Sequence, residues 1–142
     1  MVPGVARAAY DDAKVAAYAY RTCSREFDDF IGAAEWLVAN KVTSPAKLSI
    51  GGGSNGGLLV GAAMTQRPDL FRAVVCQVPL LDMLRYNLLL AGASWMDEYG
   101  DPDVPEQWAY IGEYSPYQKV KAGATLPPVN CTSIAAGRPI NC

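Results

Sequence analysis

The sequence predicts an α/β fold with a mostly parallel sheet. Two short apolar strands, at 48–50 and 73–78, alternate with segments of helical spacing, and this order is typical of parallel sheets. Between the first strand and the next helix lies the motif G-G-S-N-G at 52–56, whose spacing is G-x-S-x-G. A strand, a tight glycine turn with one serine, and a helix together make a nucleophile elbow. The pattern therefore predicts that Ser54 stands at such a turn, at the carboxyl edge of the sheet.

The remaining elements follow from apolar spacing and from breaker residues. Residues 27–40 carry apolar side chains at helical spacing and predict an amphipathic helix, which a Thr-Ser-Pro stretch ends. A weaker helical pattern covers residues 8–20, and the helix after the elbow covers 57–66. A further helix begins at Pro105. Residues 130–142 show no periodicity, so we expect no finishing strand there and an unpaired edge on the last strand.

Composition excludes several classes of function. The chain has 142 residues, is 51% apolar and has a net charge of −2, which fits one domain or part of a larger one and does not favour a nucleic-acid partner. No apolar run reaches the roughly 18 residues of a membrane span. Asp11, Asp12 and Lys14 interrupt any signal-peptide pattern, and we expect a cytoplasmic location. The sequence has no histidine and no C-x-x-C motif, so no metal site is expected.

The absence of histidine limits the chemistry of Ser54. A serine hydroxyl is a weak nucleophile until a base takes its proton, and histidine is the usual base. Either Ser54 is not catalytic, or the chain stops before its triad is complete. A Ser–Lys pair is a third arrangement, but its candidates, Lys41, Lys47, Lys119 and Lys121, have the sequence context of solvated residues in loops and at helix ends.

Other interpretations of the glycine-rich turn compete with the elbow. Gly51, Gly53 and Gly56 match the dinucleotide fingerprint G-x-G-x-x-G, and Asp82 lies just past the next strand, where that fingerprint needs an acidic residue. A Walker A loop is excluded, because no Lys-Ser or Lys-Thr follows the glycines. A glycine-rich surface turn with an ordinary serine is the remaining alternative.

Five stretches of the sequence carry a family pattern. They are F-D-D-F at 27–30, G-G-S-N-G-G-L-L at 52–59, Q-R-P-D-L-F at 66–71, D-M-L at 82–84 and Y-S-P-Y at 114–117. Together they resemble the catalytic domain of prolyl oligopeptidases, α/β-hydrolase serine peptidases that cleave short peptides after proline. The resemblance implies a partial α/β-hydrolase fold over residues 27–129, with unmatched segments at 1–26 and 130–142. The G-G-S-N-G-G-L-L string is specific to this family and its close relatives, and it removes the dinucleotide interpretation.

The resemblance implies a role for each of five residues. Ser54 resembles the family's nucleophile, and the backbone N–H of Asn55 resembles one donor of the oxyanion hole. Trp95 resembles the tryptophan that stacks on the substrate proline, while Tyr99 and Leu80 resemble further walls of the same S1 pocket. A flat aromatic ring against a pyrrolidine ring gives shape selectivity without a charge. For Trp95 and Tyr99 the alternative is plain core or interface packing. The resemblance implies a short peptide substrate and neither a metal nor a cofactor.

The sequence departs from the family pattern at both flanks. The family places an Asp, a substrate-gripping Arg and the triad His beyond residue 129, and an Arg-Gly-Gly segment with an oxyanion-hole tyrosine before residue 27; this chain has neither. We therefore expect a fragment whose missing partners are the remainder of the catalytic domain and a propeller domain. Two alternatives stay open. One is a related oligopeptidase with basic-residue specificity, against which Trp95 argues; the other is a non-catalytic α/β domain, which the absent histidine favours.

Overall fold

The computed structural model describes residues 12–135 and 138–140, with the side chains of residues 25–132. Its helices are α1 (Asp12–Ala39), α2 (Asn55–Gln66), α3 (Met96–Tyr99), α4 (Pro105–Tyr114) and α5 (Pro116–Lys119). Its strands are β1 (Ser49–Gly53), β2 (Ala73–Gln77), β3 (Val129–Ala135) and β4 (Arg138–Ile140). Short 3₁₀ helices lie at Pro68–Leu70, Tyr86–Leu88 and Gly92–Trp95.

One sheet runs through the described chain in the order β1-β2-β3-β4. β1 pairs with β2 and β2 pairs with β3, both in parallel, whereas β4 is antiparallel to β3. In this register Gly52 of β1 lies beside Cys76 of β2, which lies beside Cys131 of β3. The predicted α/β fold with a mostly parallel sheet is confirmed.

The expectation that residues 130–142 hold no strand is wrong. Both β3 and β4 lie largely in that region, and β4 pairs with the outer side of β3. Cys131 is buried, whereas Asn130 and Thr132 on either side of it are exposed. A strand with one polar face has few apolar residues by which the sequence could reveal it. β3 forms because its backbone hydrogen-bonds to β2.

Helices α1 and α2 cover one face of the sheet and make the first core cluster with it. Its buried members are Ile31, Ala34, Val60, Ala63, Met64, Leu70, Phe71, Val74, Cys76 and Cys131. On the opposite face, Val75 and Gln77 of β2 are exposed, with Asn130 and Thr132 beside them in β3. The part of the chain that the structure describes therefore covers only one face of its sheet.

A second core cluster lies where α2 meets α1, α4 and the segment after β2. Its buried members are Phe27, Leu58, Ala62, Met83, Tyr86, Tyr99, Ile111 and Tyr114. Helix α2 gives Val60 and Ala63 to the first cluster and Leu58 and Ala62 to the second. It therefore lies between the two clusters and fixes their relative position.

Helix α1 is one continuous helix, although the sequence predicts two helices with a break between positions 20 and 27. Residues 8–11, at the start of the first predicted helix, lie outside the described residues. Phe27, Ile31 and Ala34 are buried along one stripe of α1. The predicted domain boundary at residue 26 falls inside this helix and stays a prediction. Across the described ranges, no helix is both long and apolar enough to cross a membrane.

Helix α1 ends in a Schellman motif centred on Lys41. The Lys41 N–H donates to the Val38 carbonyl, and the Val42 N–H donates to the Leu37 carbonyl, each at 3.0 Å. Lys41 has a positive φ of 58°. This left-handed region costs roughly 1–2 kcal/mol for a residue with a Cβ and almost nothing for glycine.

Replacing Lys41 by glycine should therefore stabilise the fold by about 0.5–1 kcal/mol, because the relieved strain exceeds the entropy added to the unfolded chain. The measurement is the free energy of unfolding from a urea titration. Lys47→Gly is the matched control, since Lys47 is also an exposed lysine but is not among the described residues with positive φ. It should be neutral or destabilising, and equal shifts for the two variants would contradict the strain at Lys41.

Candidate active site

Ser54 occupies the turn between β1 and α2. Its backbone angles are φ 56° and ψ −120°, which a residue with a side chain adopts only where the surroundings hold it. Its N–H donates to the Gln77 carbonyl at the end of β2 at 2.9 Å, and its carbonyl accepts the N–H groups of Gly57 and Leu58 at 2.9 and 3.2 Å. The Ser54 side chain is exposed. The predicted strand–turn–helix with an exposed serine at the turn is confirmed.

Two glycines allow this turn because other atoms occupy the place of their side chains. A Cβ on Gly52 would lie 2.1 Å from the carbonyl oxygen of Gly56, and a Cβ on Gly57 would lie 2.7 Å from Cβ of Pro79. By contrast, a Cβ on Gly56 would meet no atom within 4 Å. The motif therefore contains one glycine that the packing requires, Gly52, and one that it does not, Gly56.

Asn55 is the first residue of α2. The first N–H groups of an α-helix, here those of Asn55 and Gly56, have no carbonyl one turn before them in the helix and point toward its N-terminus, where Ser54 stands. The first turn of α2 contains no acidic residue whose charge would cancel the positive end of the helix dipole. An oxyanion formed beside Ser54 would therefore meet a favourable field. The specific role of the Asn55 N–H stays a prediction.

The three predicted pocket residues lie together at the second core cluster. Leu80 follows β2, and Trp95 ends a 3₁₀ helix; both are half-buried and pack against the cluster. Tyr99 is a member of the cluster and only 5% exposed, and its ring stands edge-on to Tyr86 with 5.8 Å between the centroids. Tyr99 therefore has the burial of a core aromatic, whereas Leu80 and Trp95 keep surface that a ligand could contact. The binding roles of all three stay predictions.

The four candidate lysines for a Ser–Lys pair are exposed or half-buried. Lys41, Lys47 and Lys121 are exposed, and the Nζ of Lys119 pairs with Oε2 of Glu113 at 3.3 Å. A lysine that serves as a base is normally desolvated. These four lysines do not have that environment. The described residues also contain no group of three metal-ligating side chains.

Two features of this region were not predicted from the sequence. Val78, just after β2, has φ 40°, which is strained for a β-branched residue and has no signal in the sequence. Asp82 and Ser115 belong to two family-like stretches without an assigned role, and Gln118 hydrogen-bonds to both side chains. Because 36 residues separate Gln118 from Asp82, no local pattern could have paired them.

Comparison with known proteins shows what this arrangement is similar to. The sequence model of the prolyl oligopeptidase family matches residues 15–132. The chain is 56% identical over 103 residues to an uncharacterized peptidase of Sinorhizobium fredii, and 50% identical over 102 residues to a prolyl endopeptidase of Dictyostelium discoideum, in each case across 72% of this chain. A solved structure of a post-proline cleaving enzyme from Rickettsia typhi has a TM-score of 0.71 and 50% identity, and covers 72% of this chain and 15% of that one.

The chain is much shorter than these relatives. It spans 14% of the Sinorhizobium peptidase and 13% of the Dictyostelium prolyl endopeptidase. The match to the family begins inside α1 and ends inside β3, and it contains the elbow and the whole second core cluster. The similarity therefore concerns one segment of longer proteins.

Gly52→Ala should destabilise the fold by about 1–3 kcal/mol or more, because the new methyl group overlaps the Gly56 carbonyl and forces β1 away from α2. Gly56→Ala is the matched control within the same motif. It should be neutral or stabilising by up to about 1 kcal/mol, because alanine favours a helix and meets no neighbour there. Urea titrations of both variants give the comparison, and a Gly52→Ala variant as stable as the parent chain would contradict the described turn.

Proposed function

The chain belongs to the prolyl oligopeptidase family, and from that membership we propose that it is the nucleophile-bearing part of a serine peptidase that cleaves short peptides after proline. The observation that carries the proposal is the elbow, with Ser54 exposed and strained at the N-terminus of α2. The prolyl endopeptidase and the post-proline cleaving enzyme among its relatives support proline as the residue before the cleaved bond.

In the proposed reaction, Ser54 Oγ attacks the carbonyl carbon of the bond that follows proline. Its proton passes to a general base, and the carbonyl oxygen becomes an oxyanion that the Asn55 N–H stabilises. The base then returns the proton to the departing amine, and the proline carbonyl is left as an ester on Ser54. Water, activated by the same base, hydrolyses that ester. One oxyanion donor contributes on the order of 10²–10³ in rate.

The general base and its acidic partner come from outside this sequence, which contains no histidine. Because the chain spans only 14% of the Sinorhizobium peptidase and 13% of the Dictyostelium prolyl endopeptidase, we assign both groups to other segments of a longer polypeptide. The family resemblance implies that this polypeptide also has a propeller domain. The exposed sheet face around Val75 and Asn130 supports a further packing partner, since parallel sheets are normally covered on both faces. The cytoplasmic location stays a prediction.

The half-buried side chains of Leu80 and Trp95 are uncharged and suit a proline ring. Cleavage after arginine or lysine instead would need a carboxylate in the pocket. Asp97 and Glu98, which directly follow the Trp95 region and are exposed, are the nearest acidic residues in sequence for that alternative. A panel of peptides with proline, arginine or lysine before the cleaved bond separates the two specificities.

A non-catalytic α/β domain is the second candidate function for this chain by itself. The absence of histidine from the sequence favours it, because the elbow alone supplies a nucleophile without a base. The two candidates differ in whether activity returns when the chain is joined to the segments of a relative that carry the base and the acid.

The isolated chain should hydrolyse proline-containing peptides at least about 10⁴-fold more slowly than a complete enzyme of this type, because the base is missing. The assay uses a fluorogenic peptide with proline before the cleaved bond, and Ser54→Ala on the same chain is the control. Turnover of a few per second that Ser54→Ala abolishes would contradict this prediction and require another base.

Trp95→Ala, in a chain joined to the missing segments, should lower kcat/KM for proline peptides by about 10- to 200-fold, the range for losing an apolar pocket contact. Phosphorylation of Ser54 by a small organophosphorus reagent should stay largely intact, because that reaction does not use the pocket. Trp108→Ala is the matched control, since Trp108 is also half-buried against the second core cluster. Equal losses of both reactions in the Trp95 variant would make Trp95 a folding residue.

A further inference from the structure

A polar network joins the segment after β2 to Ser115 and helix α5, and none of the residues in this network has a role in the proposed reaction. The Met83 N–H donates to Ser115 Oγ at 3.0 Å. Ser115 Oγ donates in turn to Gln118 Oε1, and Gln118 Nε2 donates to Asp82 Oδ1 at 2.8 Å. We call these four residues the clasp. The network begins at the buried N–H of Met83 and ends at the carboxylate of Asp82, which is near the surface.

Ser115 is the central residue of the clasp. It is fully buried at 0% exposure, and its one hydroxyl both accepts from Met83 and donates to Gln118. Met83 is buried as well, so removal of the hydroxyl would leave its N–H without an acceptor and without water. A backbone bond from the Tyr117 N–H to the Leu81 carbonyl, at 2.9 Å, lies next to the clasp in sequence and depends on the same approach of the two segments.

The outer end of the clasp is charged. Asp82 accepts from Gln118 through Oδ1 and from Arg85 Nε through Oδ2, the latter at 2.6 Å. Burial acts to raise the pKa of Asp82, but the hydrogen bonds from Gln118 and Arg85 outweigh it, and the pKa is lowered. Asp82 is therefore a carboxylate at neutral pH. It holds the Gln118 amide with its NH₂ group toward Asp82, which leaves the amide oxygen for Ser115.

Leu80 lies between the elbow and the clasp along the chain. Three residues before it, the Gln77 carbonyl accepts the Ser54 N–H at 2.9 Å. Directly after it, Leu81 packs so close to α2 that a Cβ on Gly61 would lie 2.6 Å from Leu81 Cδ2. The short segment that carries Leu80 is thus fixed to the elbow at one end and packed between α2 and the clasp at the other.

We propose that Ser115 is a positioning residue, whose bond to Met83 holds Leu80 beside the elbow of Ser54. That Leu80 is a wall of the substrate pocket rests on the proposed function, whereas the holding of its segment by Ser115 does not. A hydroxyl placed outside the pocket thereby sets the position of a side chain that would contact proline. The D-M-L stretch contains Asp82 and Met83, and the Y-S-P-Y stretch contains Ser115, so both stretches contribute to the same hydrogen-bond network.

The test is amide hydrogen exchange on the chain itself, measured by NMR as the ratio of the Met83 rate to the rate of Cys76 in β2. Ser115→Ala should raise this ratio on the order of tenfold, because the local bond is lost while the sheet is kept. The methyl signals of Leu80 should shift in the same variant. Ser115→Thr keeps the hydroxyl and should leave the ratio within about threefold of the parent chain, even though its extra methyl lowers overall stability.

Two further variants keep the result interpretable. Ile31→Val, in the first core cluster, lowers stability at a distance and should leave the ratio unchanged. Gln118→Ala changes an exposed residue that the fold tolerates, and it should raise the ratio by a smaller factor than Ser115→Ala. It supplies the answer where Ser115→Ala does not fold.

An unchanged ratio in both Ser115→Ala and Gln118→Ala, or an equal rise in Ile31→Val, overturns the positioning role. Loss of protection in Ser115→Thr as large as in Ser115→Ala overturns it too, since the hydroxyl would then be irrelevant. None of these measurements needs catalysis. An inactive complete enzyme therefore counts against the proposed function alone, and an unchanged exchange ratio counts against the positioning role alone.

Discussion

The site depends on the hydrogen bonds of the Ser54 backbone, and the bond from its N–H to the Gln77 carbonyl, at 2.9 Å, ties the turn to β2. Ser54 has φ 56° and ψ −120°, a sparsely populated conformation that costs on the order of 1–3 kcal/mol for a residue with a side chain. One backbone hydrogen bond contributes about 0.5–1.5 kcal/mol net, and the Ser54 carbonyl accepts two more, from Gly57 and Leu58. Three bonds of this size outweigh the strain. The turn is therefore held by the backbone of β2 and α2, and the Ser54 side chain stays exposed.

Helix α2 is a poor helix by local propensity and a stable one by packing. Its three glycines, Gly56, Gly57 and Gly61, each cost up to about 1 kcal/mol relative to alanine. Leu58 and Val60 are at most 2% exposed, and the burial of each such side chain contributes about 1.5–3 kcal/mol. Burial therefore offsets the glycines, and the glycines in turn let α2 approach the segment after β2. The same close approach holds that segment where Met83 can donate to Ser115.

The elements that could be predicted from the sequence are those whose interacting residues lie close together along the chain. The strand, elbow and helix around Ser54 could be predicted, because the glycine spacing and the apolar runs lie within 20 residues. Strand β3 could not, since Asn130 and its neighbours carry a polar face and become a strand only beside β2. The bond from Met83 to Ser115 spans 32 residues and has no local signal either. The resemblance predicts Tyr99 as a pocket wall, and its 5% exposure, which no local sequence pattern indicates, adds it to the second core cluster; its binding role stays a prediction.

The geometry of Ser54 and the proton transfer in the proposed reaction place different requirements on the chain. The backbone hydrogen bonds of Ser54 go to α2 and to the end of β2, so the residues that hold its turn lie close together in the sequence. A general base has to come within roughly 2.6–3.2 Å of the reacting oxygen, but it can come from any part of the sequence that the fold brings there. A chain without histidine can therefore build the complete turn and still leave proton transfer to a second segment. The sheet face around Val75 that the described residues leave exposed is consistent with such a division, because a parallel sheet needs a second covering layer before it is buried on both sides.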